Sequence, residues 1–546
     1  MKKDNLEYWA ESALHALTSL TDSRLGYLPY WRVVIDTEYP YAEHTRVDES
    51  ELVGSWAEAI LMTRKMSGSK EGRAAEEGIR EILLSNFTED GIRYHSRFPW
   101  SPLIYCNIHE MGYILDGLVT WYSDSKEQPV RKAIENLING LHNIAVKCKR
   151  VVSPYGGPGS EITGCYYFPF ENYYQGIGWD PEKITFRSNM VLMNRVMIHP
   201  LLRYFKITGY ERAFSLAQGL INSLCFLDEK GHQLEGCHER QFDYRGRWRG
   251  HFVSAVWVGM GIMKYALLTN NEELFLLMKK VYDWGVSNGS SFGWLPEHIN
   301  GPKEPKEEAC ETCNISRMIE AGIILAKSGF PEYWRLIEQY GRNQLFQVQL
   351  LETDDIPLPC DSKKDTNLRT YENIAERVKG VMLGKSMPNS LNTLGRGRVI
   401  AGCCTAIGAK GLFLLWDNIV ERKGNDSYIH LHFSRKTPWL EVKSSLPSCG
   451  ELLITTFTAQ TLFVRISEWG RKEMSLKVNG KEKVPEWSGN YIKIRGLRKG
   501  DRILLTFPIQ RREMIETIGD RTYKVFWQGD KVKRIDPKGR RYPIYI

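Results

Sequence analysis

Apolar positions recur with helical spacing through roughly the first three quarters of the chain. Intervals of three and four residues, typical of helices with a buried face, predict twelve helices before residue 422. We place these helices at 5–20, 49–67, 72–87, 108–122, 129–147, 188–207, 211–226, 251–268, 272–287, 312–327, 331–350 and 401–421. Beyond residue 422 the spacing changes to short alternating runs.

Short polar junctions group most of these helices into pairs. The junctions are Ser67-Gly68, Ser123-Asp124, Thr208-Gly209, Thr269-Asn270 and Ser328-Gly329, and their spacings are 56, 85, 61 and 59 residues. Five helical hairpins with one helix left at each end predict a closed ring of six pairs, an (α/α)6 barrel, in which the first and last helices form the sixth pair. An open helical solenoid fits the same period nearly as well.

The links between pairs are much longer than the links within them. The long links lie at about 88–107, 148–187, 227–250, 288–311 and 351–400. Because alternate links lie at opposite ends of a ring, all the long links should share one rim, and long loops often carry functional sites. The candidate residues at helix starts on this rim are Glu311, Cys313, Cys403, Cys404, His109 and His251.

The C-terminal part has the pattern of a β domain. Its alternating runs are separated by turn signals such as Asn479-Gly480 and Lys499-Gly500-Asp501. We therefore predict two domains, a barrel over 1–422 and an antiparallel β-sandwich over 423–546.

One carboxylate and three thiols stand at two of the helix starts on the predicted rim. Glu311 and Cys313 are two residues apart, and the adjacent pair Cys403-Cys404 follows about 90 residues later. Such a set suits tetrahedral binding of a divalent ion such as zinc, which prefers sulfur and accepts oxygen. The alternative is a group of free, buried thiols in a reduced intracellular protein.

The loop before Glu311 contains a candidate general acid. Glu297 follows Phe292 and Trp294, and such apolar neighbours raise the pKa of a carboxyl group. A solvated loop glutamate is the alternative. His109 and His251 are helix-start residues that could bind sugar hydroxyls or simply cap and pack. Because no second histidine follows His109-Glu110 at the spacing of the HExxH motif, a metalloprotease is excluded.

Composition limits the classes of partner and the cellular compartment that we expect for this protein. The net charge of +8 is spread along the chain, and its densest basic stretch, 531–541, has no nucleic-acid motif and is interpreted as a solvated edge. The N-terminus has no apolar signal region, and no apolar run reaches about 18 residues. Eleven cysteines, an odd number, without such a signal predict reduced thiols and a cytoplasmic protein with neither a nucleic-acid nor a membrane partner.

Several of these segments together resemble one family. Gly250-His251-Phe252-Val253, Gly289-Ser290-Ser291 leading to Glu297, Glu311-Thr312-Cys313 and Cys403-Cys404 resemble, in this order, the signatures of glycoside hydrolase family 127, the β-L-arabinofuranosidases. Val478-Asn479-Gly480 and Lys499-Gly500-Asp501 are similar to parts of the family's β domain. The resemblance implies an (α/α)6 barrel with β-sandwich parts.

The resemblance also implies a site and a reaction. Zinc would be held by Glu311, Cys313, Cys403 and Cys404, with Cys403 as nucleophile and Glu297 as acid/base. The substrate would be an oligosaccharide or glycoside that loses β-L-arabinofuranose, or a related sugar, with retention of configuration. The residues expected to bind sugar are His251, His109 and His199.

The chain departs from the family pattern at two places. The family motif that opens like His109-Glu110 is not continued, and Arg195 stands where a sugar-binding histidine is expected, with His199 four residues later. An arginine there would suit a carboxylated sugar. Two rival functions stay open, a sugar epimerase or lyase on the same barrel and a non-catalytic carbohydrate-binding protein with a structural zinc. A homodimer is also left open.

Overall fold

The fold is described by a computed structural model that covers most of the chain. It describes residues 5–95, 103–148, 151–152, 161–162, 164–179, 194–225, 242, 245–299, 309–359, 362–393, 397–467, 470–471 and 473–546. Twelve helices of at least eight residues lie within them: α1 Leu6–Ser19, α2 Val53–Ser67, α3 Arg73–Leu84, α4 Ile108–Ser125, α5 Gln128–Ile144, α6 Ile198–Thr208, α7 Glu211–Cys225, α8 Phe252–Leu268, α9 Glu272–Ser287, α10 Thr312–Lys327, α11 Tyr333–Tyr340 and α12 Gly402–Asp417.

Each of these helices corresponds to a predicted one, and the differences lie at the ends. The predicted helix 49–67 begins with a π-helical turn, Asp48–Leu52, and the predicted helix 331–350 gives way to another, Gly341–Leu345. Part of the predicted start of α6 lies outside the described residues. Two short helices, Ser23–Leu25 and Ile374–Arg377, were not predicted.

The even-numbered helices form a closed inner ring. Each of α2, α4, α6, α8, α10 and α12 contacts the next, and α12 contacts α2. Except for α6, which keeps an exposed face, these helices are buried on nearly all sides, in agreement with the mostly apolar sequence of α8. Two glycines allow α2 and α4 to approach closely, because a Cβ on Gly54 would lie 2.3 Å from the carbonyl oxygen of Tyr113 and one on Gly117 would lie 2.4 Å from the carbonyl oxygen of Gly54.

The odd-numbered helices form the outer layer. Each of α3, α5, α7, α9 and α11 packs against the inner helix that precedes it, whereas α1 packs against both α2 and α12. The first and last helices are therefore neighbours, as predicted for the sixth pair. None of the described helices combines the length and apolar character needed to cross a membrane.

Very short strands precede four of the inner helices. They are Tyr105–Asn107 before α4, Gly250–His251 before α8, Cys310–Glu311 before α10 and Ile400–Ala401 before α12. The last three pair with His298–Ile299, Lys385–Ser386 and Arg32–Val34, respectively. The other short strands are Thr21–Asp22, Leu28–Pro29, Tyr41–Glu43, Val146–Cys148, Val151–Val152, Glu161–Ile162, Cys165–Tyr167, Asn172–Tyr174, Gly178–Trp179 and Arg369–Thr370. Backbone pairing thus fixes the start of the helices that carry most candidate residues.

The C-terminal part is rich in β-structure, as predicted, with three sheets among its described residues. One sheet has the order Val420–Lys423, Asp426–Ile429, Gln460–Arg465, Tyr491–Leu497, Glu486–Ser488. A second has the order Arg435–Lys436, Leu440–Ser444, Glu451–Thr456, Arg502–Thr506, Ser475–Val478, Lys481–Glu482. The third contains Arg511–Ile518, Arg521–Gln528 and Lys531–Asp536.

The β-region differs from the sequence-based prediction in the direction of one strand pair and in several strands that were not predicted. Asp426–Ile429 and Gln460–Arg465 run parallel, so the prediction of wholly antiparallel strands was wrong at this pair. Strands that were not predicted include Arg511–Ile518, Val420–Lys423 and Lys531–Asp536. In Arg511–Ile518 the hydrophobic alternation is weak and most side chains are at least partly exposed. The division at 422/423 stays a prediction, although α12 ends at Asp417 and the next strand starts at Val420.

A buried carboxylate joins the helical and β-rich parts. Glu338 in α11 accepts hydrogen bonds from Arg342, at 2.8 Å, and from Arg465 of the β-region. Burial opposes ionisation of Glu338, but the charges of His432 and the two arginines lower its pKa to about 2. The two parts are thus held by a charged contact that contains no solvent-exposed member.

A band of buried and partly buried ionisable side chains crosses the inner ring. We call it the charge belt: Glu58 of α2, Asp116 of α4, His199 and Arg203 of α6, Lys264 of α8, Arg317 and Glu320 of α10, and Lys410 of α12. Lys410 Nζ lies 3.1 Å from Glu58, 3.5 Å from Asp116 and 3.3 Å from Glu320. Every inner helix contributes at least one member.

Removing the central cation of the charge belt should destabilise the fold. Lys410→Met would leave buried carboxylates undercompensated, and we expect a loss of about 3–5 kcal/mol in the free energy of unfolding. Burial raises the pKa of Asp116 but the charges of Lys410 and Arg203 lower it overall, so its stabilising contribution is complete above pH ~4 and is lost as the pH falls through the lowered pKa.

In the variant, stability should instead rise as the pH falls from 7 to 5, because its undercompensated carboxylates take up protons more easily. The gap between wild type and Lys410→Met should therefore narrow between pH 7 and pH 5 in urea unfolding followed by circular dichroism. Lys443→Met, at an exposed lysine, is the control with the same charge change. A variant as stable as the wild type at pH 7 would show that Lys410 and the charge belt do not stabilise the fold.

Candidate metal centre and active site

Four predicted ligands come together at the starts of α10 and α12. Glu311, Cys313, Cys403 and Cys404, the ligand quartet, are buried and have ligand atoms within 4.8 Å of one another. The Sγ atom of Cys404 lies 3.3 Å from that of Cys313, 4.0 Å from that of Cys403 and 3.7 Å from a Glu311 carboxylate oxygen. Tetrahedral coordination with metal–sulfur bonds of ~2.3 Å and metal–oxygen bonds of ~2.0–2.2 Å separates ligand atoms by roughly 3.5–3.8 Å. The quartet therefore fits a divalent metal ion.

The two helices are neighbours in the inner ring, which explains how residues distant in sequence meet. Glu311 is the last residue before α10, and Cys313 and the Cys403-Cys404 pair lie in the first turns of α10 and α12. Unpaired backbone N–H groups at a helix start favour negative charge, so both turns are suited to thiolates.

The surroundings shift the pKa values of the three thiols in different directions. Hydrogen bonds from Cys313 and Cys403 lower the pKa of Cys404 to about 6 despite its burial. Burial raises the pKa of Cys313 well above the usual thiol range. The hydrogen bond with Cys313 lowers the pKa of Cys403, but Cys404 and burial outweigh it and raise that pKa overall. The protein alone thus favours a single thiolate, whereas a bound cation would stabilise more of them.

His251 contacts the quartet directly. Its Nε2 atom lies 3.2 Å from the Glu311 carboxylate, and its Nδ1 atom lies 2.9 Å from Ser254 Oγ. Burial disfavours the charged imidazole, yet the hydrogen bond and charge of Glu311 raise the pKa of His251 overall. His251 therefore orients a candidate metal ligand, in addition to the sugar-binding role predicted for it.

Glu297 lies between two of the short rim strands. Its backbone N–H donates to Ala309, and its carbonyl accepts from Phe252 at the start of α8. The sequence analysis predicted apolar neighbours for the Glu297 carboxylate. In the structure its partner is a cation, and Lys385 Nζ lies 2.5 Å from Glu297 Oε2. The loop itself is held by the β-region, since the Ser291 N–H donates to Glu516 at 2.9 Å.

The other residues predicted to bind substrate lie in different parts of the barrel. His109 is at the start of α4, with its ring edge-on to Tyr113 at 5.2 Å between centroids. His199 lies in the charge belt, 3.3 Å from Glu320, where burial lowers its pKa to about 3. Arg195 is buried and donates to Ser223 at 3.0 Å. No hydrogen bond joins the described His199 or Arg195 side chain to the quartet.

The sequence analysis missed Glu51 and Lys385. The Glu51 carboxyl is buried within hydrogen-bonding reach of Cys403, and its pKa is raised well above the usual range by burial and by the charges of Glu110 and Glu311. One sequence signal could have found Glu51, because it precedes Glu58 by seven residues, as Cys403 precedes Lys410. No local pattern marks Lys385, which meets Glu297 across 88 residues of sequence.

Comparisons with known proteins place this site on a recognised fold. No protein-family model matches the sequence, and a search of curated proteins finds no match. A GH127 β-L-arabinofuranosidase from Geobacillus stearothermophilus T6 has a TM-score of 0.60 at 13% identity, over 95% of this chain and 80% of that one. A second GH127 β-arabinofuranosidase has a TM-score of 0.62 at 14% identity, over 96% and 78% of the two chains.

A sugar epimerase from a ruminal bacterium is also similar, with a TM-score of 0.50 at 9% identity, over 76% of this chain and 98% of that one. Identities this low show the fold alone. At the level of the fold, the resemblance to family 127 is confirmed.

The quartet should bind about one divalent ion per chain. In protein purified under reducing conditions without chelator, we expect elemental analysis to find this stoichiometry, and Cys404→Ala or Cys313→Ala to lower it at least about tenfold. Cys449→Ala, at an exposed cysteine outside the quartet, should leave it unchanged. A metal content unaffected by both quartet variants would place the metal elsewhere.

Proposed function

We propose that the chain is a zinc-dependent, retaining exo-glycosidase built on an (α/α)6 barrel, a divergent relative of glycoside hydrolase family 127. The carrying observation is the buried quartet beside a second carboxylate, Glu297, joined through the short strands of one rim. The proposed substrates are oligosaccharides that lose β-L-arabinofuranose or a related sugar. The fold similarity to GH127 enzymes supports this choice of reaction.

Zinc is the ion that the donor set favours. Three sulfurs and one oxygen suit a borderline-soft metal with tetrahedral preference better than they suit magnesium or calcium. Bound at the quartet, zinc would keep the Cys403 sulfur ionised at neutral pH.

Cys403 and Glu297 would divide the reaction between them. The Cys403 sulfur attacks the anomeric carbon while Glu297 gives a proton to the leaving oxygen, so the sugar becomes bound to sulfur and the aglycone departs. Glu297 then takes a proton from water, whose oxygen replaces the sulfur. Two displacements at one carbon retain its configuration. His251 and His109 would contact the sugar, and Glu51 would contact the nucleophile from its other side. A sugar-contacting role for His199 requires a substrate that reaches the charge belt.

Two other functions are carried as alternatives. The similarity to a sugar epimerase supports an epimerase or lyase that uses histidine or tyrosine and needs no thiolate. Its activity would survive chelation and thiol alkylation. A non-catalytic carbohydrate-binding protein with structural zinc would unfold on chelation and turn over nothing. The proposed cytoplasmic location follows from the reduced thiols, and a homodimer is compatible with every alternative.

Loss of either catalytic group should abolish the activity without loss of the fold. On an aryl β-L-arabinofuranoside we expect no detectable turnover by Cys403→Ala, and a fall in kcat of roughly 10²–10⁴ for Glu297→Gln on glycosides with poor leaving groups. Cys449→Ala is the matched control. Full activity of both site variants on every cleavable furanoside would refute the proposal, as would activity that persists in metal-free protein.

A further inference from the structure

Lys385 is a charged residue beside the proposed acid/base to which the reaction assigns no role. It lies on the strand Lys385–Ser386, directly opposite Glu311 in the register. Its ammonium group is 2.5 Å from Glu297 Oε2. Among the described residues, Glu297 is the only carboxylate in ion-pair contact with Lys385.

Both members of this pair are held by the same framework. The indole N–H of Trp294, three residues before Glu297, donates to the Ser386 carbonyl at 3.1 Å. Gln344 donates to the Ser386 hydroxyl at 2.8 Å. The backbone around Lys385 is therefore fixed relative to the loop of Glu297, and their contact is built into the rim.

Side-chain exposure orders the site from its floor to its mouth. The exposed fraction is 11% for Glu311, 19% for His251, 22% for Glu297 and 30% for Lys385. In the proposed reaction the sugar that is released lies on the quartet, and Glu297 reaches the oxygen of the bond that breaks. Lys385 contacts Glu297 and is the most exposed of these four side chains, so its ammonium group can meet a group on the leaving-group side of that oxygen.

The proposed reaction weakens this ion pair. To protonate the leaving oxygen, Glu297 must itself carry a proton, and a protonated carboxyl no longer offers Lys385 a negative charge. An ammonium group that gives up a partner in a half-buried site needs another anion, because a charge removed from water without a partner is costly. A substrate that brings its own anion meets this need.

We propose that Lys385 is a specificity-determining residue that binds a carboxylate on the leaving-group side of the scissile bond. The chain would then favour glycosides in which the released sugar is attached to an acidic sugar. This inference rests on the proposed glycosidase function and extends it to the neighbouring sugar, which the metal centre does not contact.

The test compares two ligands that differ only in this charge. They are the S-linked 4-carboxyphenyl β-L-arabinofuranoside and its methyl ester, which the enzyme does not hydrolyse. We expect calorimetry to show about tenfold tighter binding of the carboxylate by the wild type, the size of one charge-assisted hydrogen bond. Lys385→Met should remove this preference and Lys385→Arg should keep it. Lys379→Met, at an exposed lysine, should behave like the wild type.

The outcomes separate this inference from the function on which it rests. Equal affinities for the two ligands, or no binding of either, would overturn the role of Lys385. So would a Lys385→Met variant that weakens both ligands equally, because the lysine would then only position Glu297. The corresponding O-linked glycosides test hydrolysis separately. A wild type that prefers the carboxylate but hydrolyses neither compound would contradict the glycosidase proposal and leave the specificity standing.

Discussion

The charge belt is the interaction on which the placement of the site depends. Buried charges tolerate little displacement, because an unpaired one costs several kcal/mol. Since its ion pairs join five of the six inner helices (α2, α4, α6, α10 and α12), the belt helps to fix their rotation and axial position together. Four candidate site residues precede a belt residue by seven positions: Glu51 and Glu58, His109 and Asp116, Cys313 and Glu320, Cys403 and Lys410. Seven residues are nearly two α-helical turns, so the three pairs that lie wholly within α4, α10 and α12 each share one helix face, with their members about 10.5 Å apart.

This spacing explains how a rim assembled from distant segments can form a compact centre. Once the belt has set the inner faces, the side chains two turns above it converge at the mouth of the ring. The short strands then fix the positions of the site residues that lie outside the helices. Glu297 and Lys385 owe their contact to the pairing around Cys310–Glu311, and the loop of Glu297 is further held by Glu516 from the β-region. The C-terminal part thus contributes to the site without supplying a candidate catalytic residue.

The features that the sequence predicted are those with a local signal. Amphipathic spacing located the twelve long helices, and residue chemistry together with a family resemblance located the quartet. The rim strands are mostly two or three residues long, too short for any periodicity to show them. The ion pair of Glu297 and Lys385 was missed for the same reason, since it depends on those strands. Glu297 looked apolar in sequence because Phe292 and Trp294 are near it along the chain, yet their side chains pack inward while its carboxylate meets a cation.

The charge belt also helps to distinguish a structural role from a chemical role for a metal ion bound at the quartet. A structural ion is expected where it joins elements that would otherwise separate, but α10 and α12 already contact each other and already share Lys410 and Glu320. Closing the ring therefore does not need the quartet. Burial helps to raise the pKa of Cys313 and of Cys403, and neutral buried thiols are inert, so packing alone would be compatible with them. A metal ion at the quartet would therefore add little to closure of the ring, whereas three sulfur donors with Cys403 in reach of Glu51 are what the proposed chemistry at sulfur requires.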